Sequence, residues 1–197
     1  MEDNFTSIRK DTEMSNGESS YRRFLAGEKD AIVEIVSEYS HGLILFLNSI
    51  TKSTYMSEEI AEDTFCKLLI EKPEYKGKSS FKTWLYTIAR NLALRSLKHR
   101  NRFVDSSVDE MQELSDEEDT EKDYLKSEQK RQLHKALGKI NAEYSQVLYL
   151  TYFEGFSNSE AATIMKKSNK QIENLIYRAK AALKKDLERE GFVYEKL

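Results

Sequence analysis

The chain has 197 residues, 33% of them charged and 39% hydrophobic, with one proline and seven glycines. That leaves little for the turn-rich connections of an all-β fold and favours helices with solvated outer faces. A lone cysteine, Cys66, rules out an internal disulfide, and no apolar run approaches the roughly 18 residues of a membrane span, so a cytoplasmic protein without membrane insertion is expected.

The formal net charge of -3 conceals a segregation along the chain. Residues 1–71 carry 7 basic and 14 acidic side chains, residues 72–102 carry 9 and 1, residues 103–123 carry 1 and 10, and residues 124–197 carry 14 and 9. Two basic blocks therefore flank an acidic one, and the overall balance is a poor guide to partners.

In chain order, 1–20 is polar, lacks apolar periodicity and reads as a disordered arm. A first helical domain is expected over 21–103. Ala31, Ile32, Ile35, Val36 and Tyr39 recur at the steps of one buried helix face. Leu43, Leu45, Phe46, Leu47 and Ile50 supply a second helix. A third, capped by Ser57 and running from Glu58 to Leu69, would turn Ile60, Thr64, Phe65, Leu68 and Leu69 inward. Pro73 and Gly77 break the chain, and Ser80 starts a fourth helix with Phe81, Trp84, Leu85, Ile88 and Leu92 on one stripe. The segment 104–123 is acidic, aperiodic and reads as a flexible linker.

A second helical domain is expected over 124–197. Leu133, Leu137 and Ile140 mark one helix, and Val147, Leu148, Leu150 and Tyr152 mark the next, which Gly155 stops. Two helix-start signals then follow eleven residues apart. Ser157 with Glu160 fits S-x-x-E, and Ser168 with Gln171 fits its glutamine form. A short helix, a tight turn and a second helix make a helix-turn-helix. The fold class is all-α: two small helical domains, an acidic linker, and a C-terminal helix-turn-helix.

The second helix buries Ile172, Leu175, Ile176, Ala179 and Leu183. It leaves Ser168, Asn169, Lys170, Gln171, Glu173, Asn174, Tyr177 and Arg178 outside. Most of these suit base edges and phosphates, and Glu173 can accept from a cytosine amino group. The bland alternative is an ordinary bundle without nucleic acid, and Lys166 and Lys167 stand where the turn more usually has glycine. In the first domain, Lys76, Lys78, Arg90, Asn91, Arg95 and Lys98 are interleaved with Phe81, Trp84, Tyr86 and Phe103. Cations beside aromatics equip a surface for single-stranded nucleic acid, although core packing explains the aromatics equally well. Glu58, Glu59, Glu62 and Asp63 suit a charged docking face. No histidine lies near them in sequence, and His41, His99 and His134 lack ligand spacing, so no metal or cofactor is expected. No phosphate loop or nucleophile elbow appears, which argues against an enzyme.

Together the stretches SSFKTWLYTIARNLALRSLKHRNR (79–102) and EGFSNSEAATIMKKSNKQIENLIYRAKAAL (154–183) resemble the extracytoplasmic-function (ECF) sigma factors, the small two-domain specificity subunits of bacterial RNA polymerase. The resemblance implies that Glu58, Glu59, Glu62, Asp63 and Phe65 dock on core polymerase. It implies that the loop 76–80, including Lys76, Lys78 and Ser80, holds a flipped minus-ten base. Trp84, Arg90, Asn91, Arg95 and Lys98 would hold the melted strand. The helix from Ser168 to Arg178 would read the minus-thirty-five duplex, where Gln171 and Glu173 depart from the commonest family pattern and imply an altered promoter preference. An anti-sigma factor is a further partner the resemblance implies. Two rivals stand beside it: a stand-alone helix-turn-helix regulator, and a sigma-like regulator that binds polymerase without opening DNA.

Overall fold

A computed structural model describes residues 16–103 and 133–189. The described residues are helical, with no strand among them. The first half holds α1 (Asn16–Leu25), α2 (Ala31–Thr51), α3 (Thr54–Glu71) and α4 (Phe81–Phe103). The second holds α5 (133–139), α6 (Ala142–Leu148), a π-helical turn (Tyr149–Phe153), α7 (Asn158–Met165) and α8 (Asn169–Arg189). No described helix is long and apolar enough to cross a membrane. The linker expected over 104–123, the first fifteen residues of the expected arm, and 190–197 lie outside the described residues.

Several boundaries differ from the sequence reading for identifiable reasons. α1 begins at Asn16, inside the expected arm. It is anchored by Tyr21, fully buried and donating from its hydroxyl to the Pro73 carbonyl at 2.8 Å. The two helices expected between Ala31 and Ile50 are one, because Gly42 weakens a helix interior without ending it. α3 starts earlier than expected. Ser53 is its cap, with Oγ accepting from the Met56 N–H at 3.3 Å, while Ser57 is buried within the first turns and donates to the Ser53 carbonyl at 2.7 Å. Leu69 and Tyr152, expected inside, are 48% and 56% exposed.

The core of the first half is built by Ile35, Leu43, Phe46, Leu47, Ile60, Leu68, Phe81 and Leu85. That of the second gathers Leu137, Leu150, Ala161, Ile164 and Ile172. The two are continuous: α4 packs on α7, and α2 on α6 and the π-helical turn, so both halves share one apolar cluster.

Candidate nucleic-acid and polymerase interfaces

The helix-turn-helix is α7 and α8. Both caps form as the serine spacings predict. Ser157 Oγ accepts from the Glu160 N–H at 3.3 Å while Glu160 Oε2 accepts from the Ser157 N–H at 3.0 Å. Ser168 and Gln171 repeat the arrangement at 3.2 and 2.7 Å. Between them Lys166 takes the left-handed conformation, φ 55°, and its N–H closes on the carbonyls of α7. A lysine thus occupies the turn where glycine is more usual, at a conformational cost. Ile172 and Ala179 are fully buried under α8, with Leu175, Ile176 and Leu183 partly so. The opposite face is open: Ser168, Asn169, Lys170, Gln171, Glu173, Asn174, Tyr177 and Arg178 are all exposed, Tyr177 to 78%. Gln171 has one amide oxygen committed to its cap, which leaves its NH2 as a donor.

At the start of α4, the loop from Pro73 to Ser80 is held by an aromatic nest. Tyr75 donates to the Ser79 carbonyl at 2.6 Å, and its ring meets Phe81 edge-on at 5.7 Å and Trp84 at 5.2 Å. Tyr21 closes the nest against Trp84 at 5.4 Å. Phe81 and Tyr86 are fully buried, so these two aromatics are core. Trp84 and Tyr75 are half-buried and present only part of a ring. Lys76, Lys78, Arg95 and Lys98 are exposed and Asn91 is half-buried. Gly77 takes φ 65°, a conformation the loop needs and glycine permits.

Arg90 is placed differently from the other cations of this helix. It is only 7% exposed, and its Nε donates to Gln146 Oε1 of α6 at 3.0 Å. Burial pushes its pKa down, with the nearby Glu143 carboxylate opposing. Ser80 is likewise engaged across the halves, its hydroxyl 3.1 Å from Glu160 Oε1. In the closed arrangement these two residues serve the second half.

On α3, Glu58, Glu59, Glu62 and Asp63 form one exposed acidic face. Phe65, grouped with them from the sequence, is 9% exposed and turns into the core. Cys66 is exposed on the same helix. No cluster of metal-ligating side chains occurs among the described residues.

The sequence reading missed the side chains that join the halves: Lys82, Thr83, Tyr86, Gln146 and Glu154. Two signals were present. Lys82, Tyr86 and Arg90 recur at four-residue steps along α4, and Gln146 stands directly before the apolar run that starts at Val147 and Leu148.

Both halves of the chain match known proteins. Residues 35–103 match the family model for Sigma-70 region 2, and residues 130–183 match that for Sigma-70, region 4. Among curated relatives, the chain is 27% identical over 175 residues to the RNA polymerase sigma-H factor of Pseudomonas aeruginosa, covering 84% of this chain and 91% of that protein. It is 27% identical over 161 residues to the RNA polymerase sigma factor YlaC of Bacillus subtilis, covering 81% and 93%. Among solved structures, the sigma factor RpoE of Bartonella quintana, crystallised with the anti-sigma factor NepR, shares the fold at TM-score 0.63 and 21% identity, over 81% of this chain and 98% of that one. CnrH, solved with the cytosolic domain of CnrY, does so at TM-score 0.63 and 20% identity, over 89% and 99%. With Sigma-70 regions 2 and 4 in order along one chain, and with ECF sigma factors among the curated relatives, the chain belongs to the ECF RNA polymerase sigma factors.

Proposed function

We propose the following division of labour within this sigma factor. The acidic face of α3, Glu58, Glu59, Glu62 and Asp63, docks on a basic surface of core polymerase. Lys76, Lys78, Ser80, Trp84, Asn91, Arg95 and Lys98, joined by Arg90 once the halves part, hold the melted minus-ten strand. Ser168, Asn169, Lys170, Gln171, Glu173, Asn174, Tyr177 and Arg178 read the minus-thirty-five duplex. The protein works in the cytoplasm and contributes no catalysis of its own, and an anti-sigma factor restrains it.

The observation that carries this reading is that α4 and α8 present chemically different surfaces within one chain. α8 offers a regular row of donors with a fully open face, the shape that enters a major groove. α4 offers a loop built on aromatic rings with exposed cations beyond it. That surface suits extruded bases and a single-stranded backbone, and unstacking costs a few kcal/mol per base. A stand-alone duplex reader has no use for the second surface. Run-off transcription with core polymerase tests the reading: a specific transcript that depends on this chain supports it. Tight binding to core with no transcript and no melted bubble on any mapped promoter would favour the non-melting regulator.

A further inference from the structure

The seam between the halves holds a small cavity of about 50 Å³. Asn48 and Lys52 at the end of α2 and Thr54 of α3 line it from the first half. His134 of α5, Ser145 of α6 and Tyr149 of the π-helical turn line it from the second. Its chemistry is one-sided. The wall offers an ammonium, hydroxyls, an amide and an imidazole, and no carboxylate. A hard cation finds no counter-charge there, and the polar wall gives an apolar ligand little to bury against. The volume falls far below the roughly 300–1,000 Å³ of sites for drug-sized ligands, so the occupant has only a few heavy atoms.

Two groups in the cavity are left unfinished. Ser145 is 1% exposed, and its hydroxyl has no hydrogen-bond partner. A buried hydroxyl left unmet costs its full desolvation, and native structures rarely carry one without an occupant to meet it. The Lys52 amine meets one neutral acceptor, the Leu137 carbonyl at 3.3 Å. Burial pushes its pKa down to about 8 from 10.5, and no opposite charge raises it again. A water molecule would satisfy the serine and leave the lysine charge uncompensated. An anion answers both.

The wall around these two groups is held in place. Lys52 closes α2 in a left-handed conformation, φ 58°, with its N–H on the Asn48 carbonyl at 3.0 Å. The π-helical turn sets the Tyr149 hydroxyl 2.5 Å from His134 Nδ1. Such turns are frequent at functional sites, and Tyr149 belongs to neither of the surfaces proposed to meet DNA or polymerase.

We propose that this cavity is a binding site for a small inorganic oxyanion of the phosphate or sulfate class, held by the Lys52 amine and the Ser145 hydroxyl. The two donors come from different halves, so the bound anion bridges them and stabilises the chain by mass action. The site is independent of the promoter reading above and stands or falls without it.

Calorimetric titration of the full chain with sodium phosphate, at an ionic strength held constant with chloride, tests the site. Phosphate should bind saturably, and the melting temperature should climb with its concentration while chloride has no such effect. Lys52→Met should weaken binding by about tenfold or more, and Ser145→Ala by about threefold to tenfold. Ser145→Ala also separates binding from folding. Removing an unpartnered buried hydroxyl should leave the phosphate-free melting temperature unchanged or higher. Absence of phosphate binding, or binding that survives both substitutions, would overturn the site. So would binding that is lost in Lys170→Ala instead, which would place the ion on the exposed face of α8.

Discussion

Lys52, Lys72 and Lys166 each adopt a left-handed backbone at the end of a helix, with φ of 58°, 46° and 55°. An L-residue pays about 1–2 kcal/mol for that conformation and glycine does not. At Lys166 glycine loses more entropy on folding, so Lys166→Gly should gain a net ~0.5–1 kcal/mol in the denaturant midpoint at unchanged slope. On the open face of α8, Lys170 and Arg178 are exposed. Changing either to alanine should weaken minus-thirty-five duplex binding, by about 1–3 kcal/mol and base-selectively where the contact is bidentate. A purely phosphate contact would instead give a uniform loss across sequences and a shallower salt slope, read from titrations at several salt concentrations.

The short helix α7 depends on its cap, being only eight residues long. Ser157→Ala should cost about 1 kcal/mol, measured by thermal or denaturant unfolding. Glu160 closes that cap and joins the seam. Partial burial pushes its carboxyl pKa up, but the Ser157 N–H and hydroxyl with the Thr83 and Ser80 hydroxyls outweigh this and hold it below its ordinary value of 4.5. A depressed carboxylate contributes stability that is fully present above that ordinary value and fades as pH falls through the folded one. Wild type and Glu160→Gln should therefore differ in melting temperature at neutral pH and converge in acid.

Helices with a local signature were legible in the sequence. The serine caps of α7 and α8 need only residues three apart, and the exposed row of α8 follows from its buried stripe. The start of α3 was misplaced because Ser53 and Ser57 both offer a cap, and only burial decides between them. The π-helical turn went unseen, since its extra residue, which lets the Glu154 N–H reach the Tyr149 carbonyl at 3.0 Å, has no local composition signal. The pairing across the seam was illegible for a different reason, although the row on α4 was visible. Lys82 and Glu154 are 72 residues apart, and no periodicity within either half states which faces meet.

At the scale of the molecule, one chain carries the two surfaces proposed to hold nucleic acid and the acidic face proposed to dock on polymerase, with the halves packed onto each other. Lys52 bears on their contact, because burial pushes its amine pKa down to about 8 from 10.5. Between those values the open form keeps a proton that the closed form has shed. The closed form therefore gains stability as pH rises from about 8 toward 10.5 and shows no such slope below that window. Melting temperature across this range, compared with Lys52→Met, checks the slope.

The central claim is that this chain directs polymerase to open promoter DNA through α4 while reading the upstream duplex through α8. It is tested most directly by permanganate footprinting and run-off transcription on promoters mapped after overexpression. Core polymerase is supplied with the wild-type chain, with Arg95→Ala, or with Lys170→Ala. The account predicts a melted bubble and a transcript with wild type. Arg95→Ala should lose the bubble while retaining upstream occupancy, and Lys170→Ala should lose occupancy without loss of core binding. A bubble that is absent with wild type, or that forms equally with core alone, would contradict it.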